Sequence, residues 1–191
     1  NRRLTSREAV MPENQYCASL SDLQTLIGDS EQDPKLALAL RRASDRLIGL
    51  IGWNPHYVEN DTVTLNGTGR ETLLLPYMHI TGAVTVQVDG KPVSDFVVDP
   101  RAGILRRTNY RTWPDSLSNI TVTCSHGYKD LPGDMQDAVL EQAEAQYRTL
   151  TGISNYSVGG RSITFGAAST VGVTQKWTDT VHKYSLTGGR V

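Results

Sequence analysis

The stretch Ser125-His-Gly-Tyr-Lys-Asp-Leu-Pro-Gly-Asp-Met135 decides the fold, because it leaves a β-strand and enters a helix predicted over Met135 to Leu150. Pro132 and Gly133 break the strand, and Asp134 is predicted as the N-cap of the helix. Apolar residues recur every three or four positions and predict one buried stripe: Met135, Ala138, Val139, Ala143, Tyr147 and Leu150. The residues predicted on the solvated side are Gln136, Asp137, Glu141, Glu144 and Arg148.

Two further helices are predicted upstream. Ser19 begins a capping pattern for a short helix that Gly28 ends, and Asp33 caps a longer helix that ends at Gly52. The apolar stripe of the longer helix is predicted to pack against the helix from Met135: Leu36, Leu40, Ala43, Leu47 and Leu50 or Ile51.

Between these helices the hydrophobic period changes from 3.6 to 2, which indicates β-strands. Short β-branched runs are separated by turn residues, and Asp89-Gly90 is the strongest hairpin signal. The predicted strands are Thr62–Leu65, Glu71–Leu75, Ala83–Val88, Asp95–Val98, Gly103–Arg106 and Ile120–Cys124. The gaps between them are too short for crossover helices. The pattern therefore predicts an α+β domain, in which a small helical bundle (a short helix plus two long helices) carries an inserted antiparallel β-meander and an extended C-terminal arm.

Composition narrows the function. The chain has 191 residues and a formal net charge of −1, which argues against a free-standing nucleic-acid binder that relies on counterion release. No apolar run approaches the roughly 20 residues of a membrane span, so we expect a soluble cytoplasmic protein without membrane contact. The two cysteines, Cys17 and Cys124, lie far apart and are expected to be reduced thiols.

No catalytic or metal-binding pattern is present in the sequence. The four histidines are scattered, and none has the spacing that places two metal ligands on one helix face. His126 lies beside Gly127 and Tyr128, where a bond to a backbone carbonyl is favoured over a role as catalytic base. We therefore predict no enzymatic activity, no metal and no cofactor.

The order of these elements resembles the head–tail connector (adaptor, or head-completion) proteins of long-tailed double-stranded DNA bacteriophages. The resemblance spans about Tyr16 to Phe165. Its segments are Tyr16–Leu23, Leu74–Pro76, Val86–Gly90, Gly103–Leu105, Trp113–Pro114, Thr121–Tyr128, Leu131–Pro132 and Ser157–Gly159.

The resemblance implies a structural virion protein in the neck, at the head–tail interface, assembled in the host cytoplasm. It implies self-association into a ring, commonly of twelve subunits, between the portal protein and a stopper or tail-completion protein. Double-stranded DNA would pass through the bore transiently during genome ejection.

The terminal segments are predicted to differ from the core. Residues 1–15 are expected to be an N-terminal arm, residues 16–152 the helical core with its β insertion, and residues 153–191 an extended C-terminal arm. Alternating apolar residues in the arm predict two strands, one around Ile163 and Phe165 and one over Thr170 to Trp177. We expect this arm to contact the portal or a neighbouring subunit through Tyr156, Val158, Ile163, Phe165, Val171, Val173 and Trp177. A disordered arm without a partner is the alternative.

One helix face is basic. Arg41, Arg42 and Arg46 lie on the same side of the second helix, where they could meet an acidic neighbour, DNA in the bore, or only water.

A second hypothesis comes from another class of protein. Aromatic residues beside glycine and proline can form a ligand-binding platform, so the chain could be a monomeric β-rich binding module. The residues of such a platform would be Trp53, Tyr57, Tyr110 and Trp113.

Overall fold

The computed structural model describes residues 16–28, 33–151, 155–158, 161–164 and 174–186. Four helices appear in this part of the chain: α1 Leu20–Ile27, α2 Pro34–Ile51, α3 Gly133–Thr151 and α4 Gln175–Tyr184. The strands are β1 Val58–Gly67, β2 Thr72–Leu74, β3 Ile80–Val88, β4 Lys91–Val93, β5 Phe96–Asp99, β6 Ile104–Arg107, β7 Ser116–His126, β8 Asn155–Val158 and β9 Arg161–Thr164. The predicted α+β class is confirmed, whereas the division of the chain at residues 15 and 152 stays a prediction.

The first two helices begin and end where the sequence predicts. The Ser19 hydroxyl accepts a hydrogen bond from the Ser21 amide, and the Asp33 carboxylate accepts one from the Lys35 amide. Gly28 and Gly52 end the helices with φ of 75° and 82°, the left-handed conformation that glycine adopts without penalty.

Helices α2 and α3 pack against each other as predicted. Leu40 and Leu47 of α2 and Met135 and Val139 of α3 are fully buried. Burying side chains of this size stabilises a fold by about 1.5–3 kcal/mol each. The two helices therefore form one side of the core.

The predicted faces of α3 need two corrections. Leu150 is exposed and Arg148 is buried, and Gln142, which was assigned to neither face, is buried as well. Arg148 tolerates burial because its guanidinium pairs with Glu144 one turn earlier, at 2.5 Å. On α2 the buried terminal residue is Ile51, since Leu50 is half exposed.

The inserted strands form two antiparallel sheets rather than one meander in chain order. One sheet has the order β1-β7-β3-β4 and the other β2-β6-β5. Strand β7, the last strand before α3, lies between β1 and β3 and pairs with both. Strand β4 is not among the predicted strands; it contains Pro92 and lies at a sheet edge, where proline costs no ladder hydrogen bond.

The deciding stretch, Ser125 to Met135, joins the end of β7 to the segment that follows α2. The amides of Tyr57 and Tyr128 donate to the carbonyls of Tyr128 and Pro55, at 3.0 and 2.8 Å. At Gly127, φ is 84°, and a Cβ would lie 2.2 Å from the His56 carbonyl oxygen. Glycine is therefore required both by the backbone angle and by the close approach of the segment after α2.

The C-terminal segment is not extended throughout, contrary to the prediction. Strand β9, which contains Ile163, pairs with β8 in a two-stranded sheet. Trp177 lies in α4, so the predicted strand over Thr170 to Trp177 is wrong from residue 175 onward. Phe165, Val171 and Val173 lie outside the described residues.

Candidate assembly surfaces

The basic face of α2 is exposed, as predicted. Arg41 pairs with Asp45 at 3.6 Å, and the Arg46 guanidinium lies 5.9 Å from the centre of the Trp177 ring. Both groups are solvent-exposed, so each contact contributes little to stability. The structure thus brings Arg41, Arg42 and Arg46 together on one open surface.

Of the predicted C-terminal contact residues, Trp177 lies in the core of the chain with 2% of its surface exposed. It is therefore removed from the contact set. Tyr156 and Val158 lie in β8 and Ile163 in β9. The hairpin of β8 and β9 is thus the described part of the predicted contact segment.

Helix α4 packs against α2 and α3 through Trp177, Thr180 and Tyr184, which are all buried. Trp53 donates its indole N–H to the Tyr184 carbonyl at 2.8 Å, and the Leu186 amide donates to the Ile51 carbonyl at 3.0 Å. The chain from α4 to Leu186 is therefore fastened to the C-terminal end of α2.

Charged groups fix α4 to the start of α3. Lys183 and Tyr184 donate to the Asp134 carboxylate at 2.6 and 2.8 Å. Helix α3 begins at Gly133, so Asp134 lies inside the first turn rather than at the predicted N-cap position, although its carboxylate also accepts from the Met135 amide at 3.0 Å. Burial acts to raise the pKa of Asp134, but the hydrogen bonds from Lys183 and Tyr184 outweigh it and lower the pKa. The same carboxylate raises the pKa of Lys183 to about 12.

His126 differs from its predicted setting. Its Nε2 lies 3.2 Å from the Asp61 carboxylate rather than at a backbone carbonyl, and its ring stacks on Tyr77 at 3.7 Å. Burial raises the pKa of Tyr77. The histidine is itself buried, so this cluster is a packed part of the sheet.

The two cysteines are buried. Burial raises the pKa of Cys17 to about 12 and also raises that of Cys124. The reactive thiolate form of Cys17 is therefore negligible near neutral pH. Within the described ranges no three His, Cys, Asp or Glu side chains are grouped so as to hold a metal ion.

The aromatic platform of the binding-module hypothesis is not assembled. Trp53 and Trp113 are 5% and 0% exposed, so neither can stack on a ligand. Tyr57 is half-buried, and only Tyr110 stands free, with 96% of its surface exposed. This arrangement removes the observation on which that hypothesis depended.

Tyr110 lies in a tight turn between β6 and β7, which we call the Tyr110 turn (Thr108 to Arg111). The Arg111 amide donates to the Thr108 carbonyl at 3.2 Å, and both Asn109 and Tyr110 have φ of 57°. Positive φ at both central residues is typical of a type I′ turn. The turn is not predicted from the sequence because glycine, the usual marker of such turns, is absent.

A cavity of about 660 Å³ opens at the other end of β7, beside the deciding stretch. The rings of His79 and Tyr128 stack at 4.0 Å in its wall, and the Lys129 ammonium lies 5.0 Å from the centre of the Tyr57 ring. Burial lowers the pKa of His79, which keeps its imidazole neutral near pH 7. We call this the β7-end cavity.

No helix in the described part of the chain is long and apolar enough to cross a bilayer.

Comparison with known proteins gives similarity at the level of structure. No family model matches the chain, and no curated protein matches it. A chain in the neck of a native GTA particle, computed with C12 symmetry, is 16% identical, covers 91% of this chain and 90% of its own, and superposes with a TM-score of 0.55. The fold is shared.

Chains in two further structures share the same fold. A chain in the neck of an empty GTA particle, computed with C6 symmetry, is 16% identical over 87% of this chain and 88% of its own, with a TM-score of 0.53. A chain in the virion of the native gene transfer agent (GTA) particle is 14% identical over the same shares, 87% and 88%, with a TM-score of 0.52.

Proposed function

We propose that this chain is a structural protein of the neck of a phage-like particle. In this proposal it is a head-to-tail adaptor that forms a ring between the portal and the tail-side connector, and the genome passes through its bore. The observation that carries the proposal is the shared fold, which extends over about nine-tenths of both this chain and a chain from the neck of a GTA particle. The role is mechanical and requires no catalytic group.

The proposed ring has twelve copies. The C12 and C6 symmetries of the similar neck structures support a repeated subunit, and C12 favours twelve. A ring forms when one heterologous contact repeats and closes, so each subunit needs two different complementary surfaces.

We propose two of the surfaces that join the ring to its surroundings. The hairpin of β8 and β9 is a two-stranded sheet, which is marginally stable alone and gains stability by joining a sheet or groove on the portal or an adjacent subunit. The basic face of Arg41, Arg42 and Arg46 is open to an acidic neighbour or to DNA in the bore.

The function is tested by co-expressing the chain with the portal protein of the same particle and imaging the purified complex by electron microscopy. We expect a ring of this chain on one face of the portal. Portal expressed alone is the control. A chain that stays separate from the portal at low salt, where charged contacts are strongest, would contradict the proposal.

The hairpin contact needs a variant that keeps α4. Removing all residues after 158 would strip Trp177 and Tyr184 from the core, so loss of assembly could reflect unfolding. Replacing residues 155–164 by a ten-residue Gly/Ser linker retains α4, and we expect an unchanged melting temperature with loss of portal binding. Full occupancy of the portal by this variant would show that the hairpin is not the contact.

The basic face is tested by reversing all three arginines. If the face meets an acidic neighbour or DNA, portal binding or DNA retention should fall and should depend on salt. Unchanged behaviour at low salt would leave water as its only partner.

A further inference from the structure

Tyr110 occupies a position where the backbone favours glycine. Its φ of 57° is left-handed, a conformation that is unfavourable for a residue with a Cβ. Because 96% of the residue is exposed, its ring gains almost no burial within the subunit to offset that cost. A strained, exposed aromatic side chain is the kind of feature that a binding function explains.

The turn that presents Tyr110 is braced by a single carboxylate. Asp95 pairs with Arg107 at 3.1 Å and with Arg111 at 3.0 Å, and its backbone carbonyl accepts from the Thr108 amide at 2.9 Å. These contacts hold the turn against the three-stranded sheet of β2, β6 and β5, so Tyr110 is presented in a fixed position. Preorganisation of this kind lowers the entropy lost on binding.

The region around the Tyr110 turn is basic. Three guanidinium groups, those of Arg106, Arg107 and Arg111, are paired with only two carboxylates, Glu71 and Asp95. Together these five groups carry one excess positive charge, and the exposed guanidinium groups beside the tyrosine are those of Arg106 and Arg111, since the Arg107 side chain is 9% exposed. Tyrosine and arginine are among the residues most enriched at the energetic centres of protein interfaces.

The β7-end cavity offers carboxylates to a basic projection. Glu59 and Asp130 line it together with Lys129, the Tyr57 and His79 rings offer aromatic surface, and the charges of Arg101, Lys183 and Asp134 act on Tyr128 in its wall. A volume of about 660 Å³ is large enough to admit a tyrosine side chain together with part of a neighbouring arginine. The chain thus carries both a basic aromatic projection and an aromatic cavity that contains two carboxylates, those of Glu59 and Asp130.

One subunit cannot join these two features to each other. They lie at opposite ends of β7, whose eleven residues span roughly 35 Å. The projection of one copy can, however, enter the cavity of another copy. Such a head-to-tail contact is heterologous, and it is the type that generates closed rings.

We propose that the Tyr110 turn of one subunit inserts into the β7-end cavity of the next, with the Tyr110 ring against Tyr57 and His79 and the Arg111 guanidinium beside Glu59 or Asp130. This inference deepens the proposed function and rests on it, because it names the contact that repeats around the ring. Aromatic packing supplies affinity, and the opposite charges orient the two copies.

The test uses variants that disable one surface at a time. Tyr110→Gly removes the projecting side chain, and glycine adopts the positive φ of this turn without strain. Ala83→Trp fills the cavity from an exposed position at a β-bulge in β3, outside the paired register. Leu117→Ala is the matched control, because Leu117 is an exposed apolar residue at the start of β7 but outside the turn.

Self-association is measured by sedimentation velocity over a range of protein concentrations. We expect Tyr110→Gly and Ala83→Trp each to weaken it by about 30-fold or more, and Leu117→Ala to leave it unchanged. Mixing Tyr110→Gly with Ala83→Trp leaves one intact projection and one intact cavity. The mixture should therefore form a 1:1 dimer and nothing larger.

Melting curves separate binding from folding. We expect Tyr110→Gly to raise the melting temperature of the monomer by about 2–4 °C, because glycine relieves the strained turn. A lowered melting temperature would show that Tyr110 supports its own subunit, and it would overturn the inference. Ala83→Trp should melt like the natural chain.

Three further results would overturn the inference. They are a natural chain that stays monomeric at every concentration, a Tyr110→Gly variant that associates normally, and a mixture that forms no dimer. If Tyr110→Gly instead lost affinity only for the portal or for duplex DNA, the turn would serve that partner and the inference would also fail. In each of these cases a ring on the portal would still support the proposed function, whereas failure to bind the portal would count against that function.

Discussion

Two turns in this molecule share a backbone conformation and differ in sequence. At the β3–β4 hairpin, Asp89 and Gly90 have φ of 50° and 73°, and in the Tyr110 turn both central residues have φ of 57°. The first turn follows the Asp-Gly rule, so its sequence is explained by the fold alone. The second places tyrosine where glycine is favoured. The difference separates a position selected for folding from one that folding does not explain.

Two leucines on α2 give a reference for the size of a stability change that burial alone explains. The expected loss of stability is largest here. Leu47 is fully buried and Leu50 is 49% exposed, although both lie near the same helix end. Leu47→Ala should cost about 2.7–5 kcal/mol of unfolding free energy, because it removes buried methyl groups and leaves a cavity. Leu50→Ala should cost far less.

Urea unfolding followed by circular dichroism measures both leucine variants. Equal losses for Leu47→Ala and Leu50→Ala would mean that burial does not set the cost at this helix. An unchanged midpoint for Leu47→Ala would contradict the packing of α2 against α3.

Gly127 provides a third kind of left-handed position. A Cβ added at Gly90 would meet open space, whereas a Cβ added at Gly127 would collide with the His56 carbonyl. Gly127→Ala should therefore cost about 1–2 kcal/mol for the backbone angle, and overpacking adds about 1–3 kcal/mol. Gly90→Ala is the control, and it should show only the smaller backbone cost. A loss at Gly127 no greater than that at Gly90 would show that the close approach relaxes freely.

Exchanging the residues of the two turns tests the comparison directly. Gly90→Tyr should lower stability by about 1–2 kcal/mol, because it creates at the first turn the strain that the second already carries. Tyr110→Gly should raise stability by up to about that amount. Thermal unfolding of the two single variants and the double variant measures both changes. We expect them to add, since the turns share no contacts. Two changes of the same sign would mean that backbone angle does not govern these positions.

The elements that sequence predicted correctly are those determined by neighbours along the chain. The caps of α1 and α2, the Asp89-Gly90 hairpin and the periodicity of α3 all depend on residues a few positions apart. These local patterns fixed the fold class and most strand positions.

The errors concern residues whose environment comes from distant parts of the chain. Helix α4 was missed because a few alternating residues before Trp177 suggested a strand, whereas its burial depends on Trp53 and Asp134, far away in sequence. The predicted contact residue Trp177 and the predicted platform residues Trp53 and Trp113 are all buried for the same reason. The Tyr110 turn was missed because its sequence departs from the rule by which such turns are found.

The smallest expected effect concerns charge at the helical end of the molecule, where Asp134 holds Lys183 and Tyr184 of α4. Asp134→Asn keeps an oxygen that accepts from Tyr184 but removes the negative charge beside Lys183. The Asp134 side chain is 39% exposed, so solvent screening limits the loss of unfolding free energy to less than about 1 kcal/mol.

Because folding lowers the pKa of Asp134 below its ordinary value of 3.8, the charged form contributes stability above pH 3.8, and this contribution is lost as the pH falls through the lowered pKa. The melting temperatures of the natural chain and the variant should therefore differ at pH 7 and converge in acid below the lowered pKa. A difference that persisted there would mean that Asp134 fastens α4 by its shape and hydrogen bonds, and that the helical end, like the Asp89-Gly90 turn, depends on local geometry rather than charge.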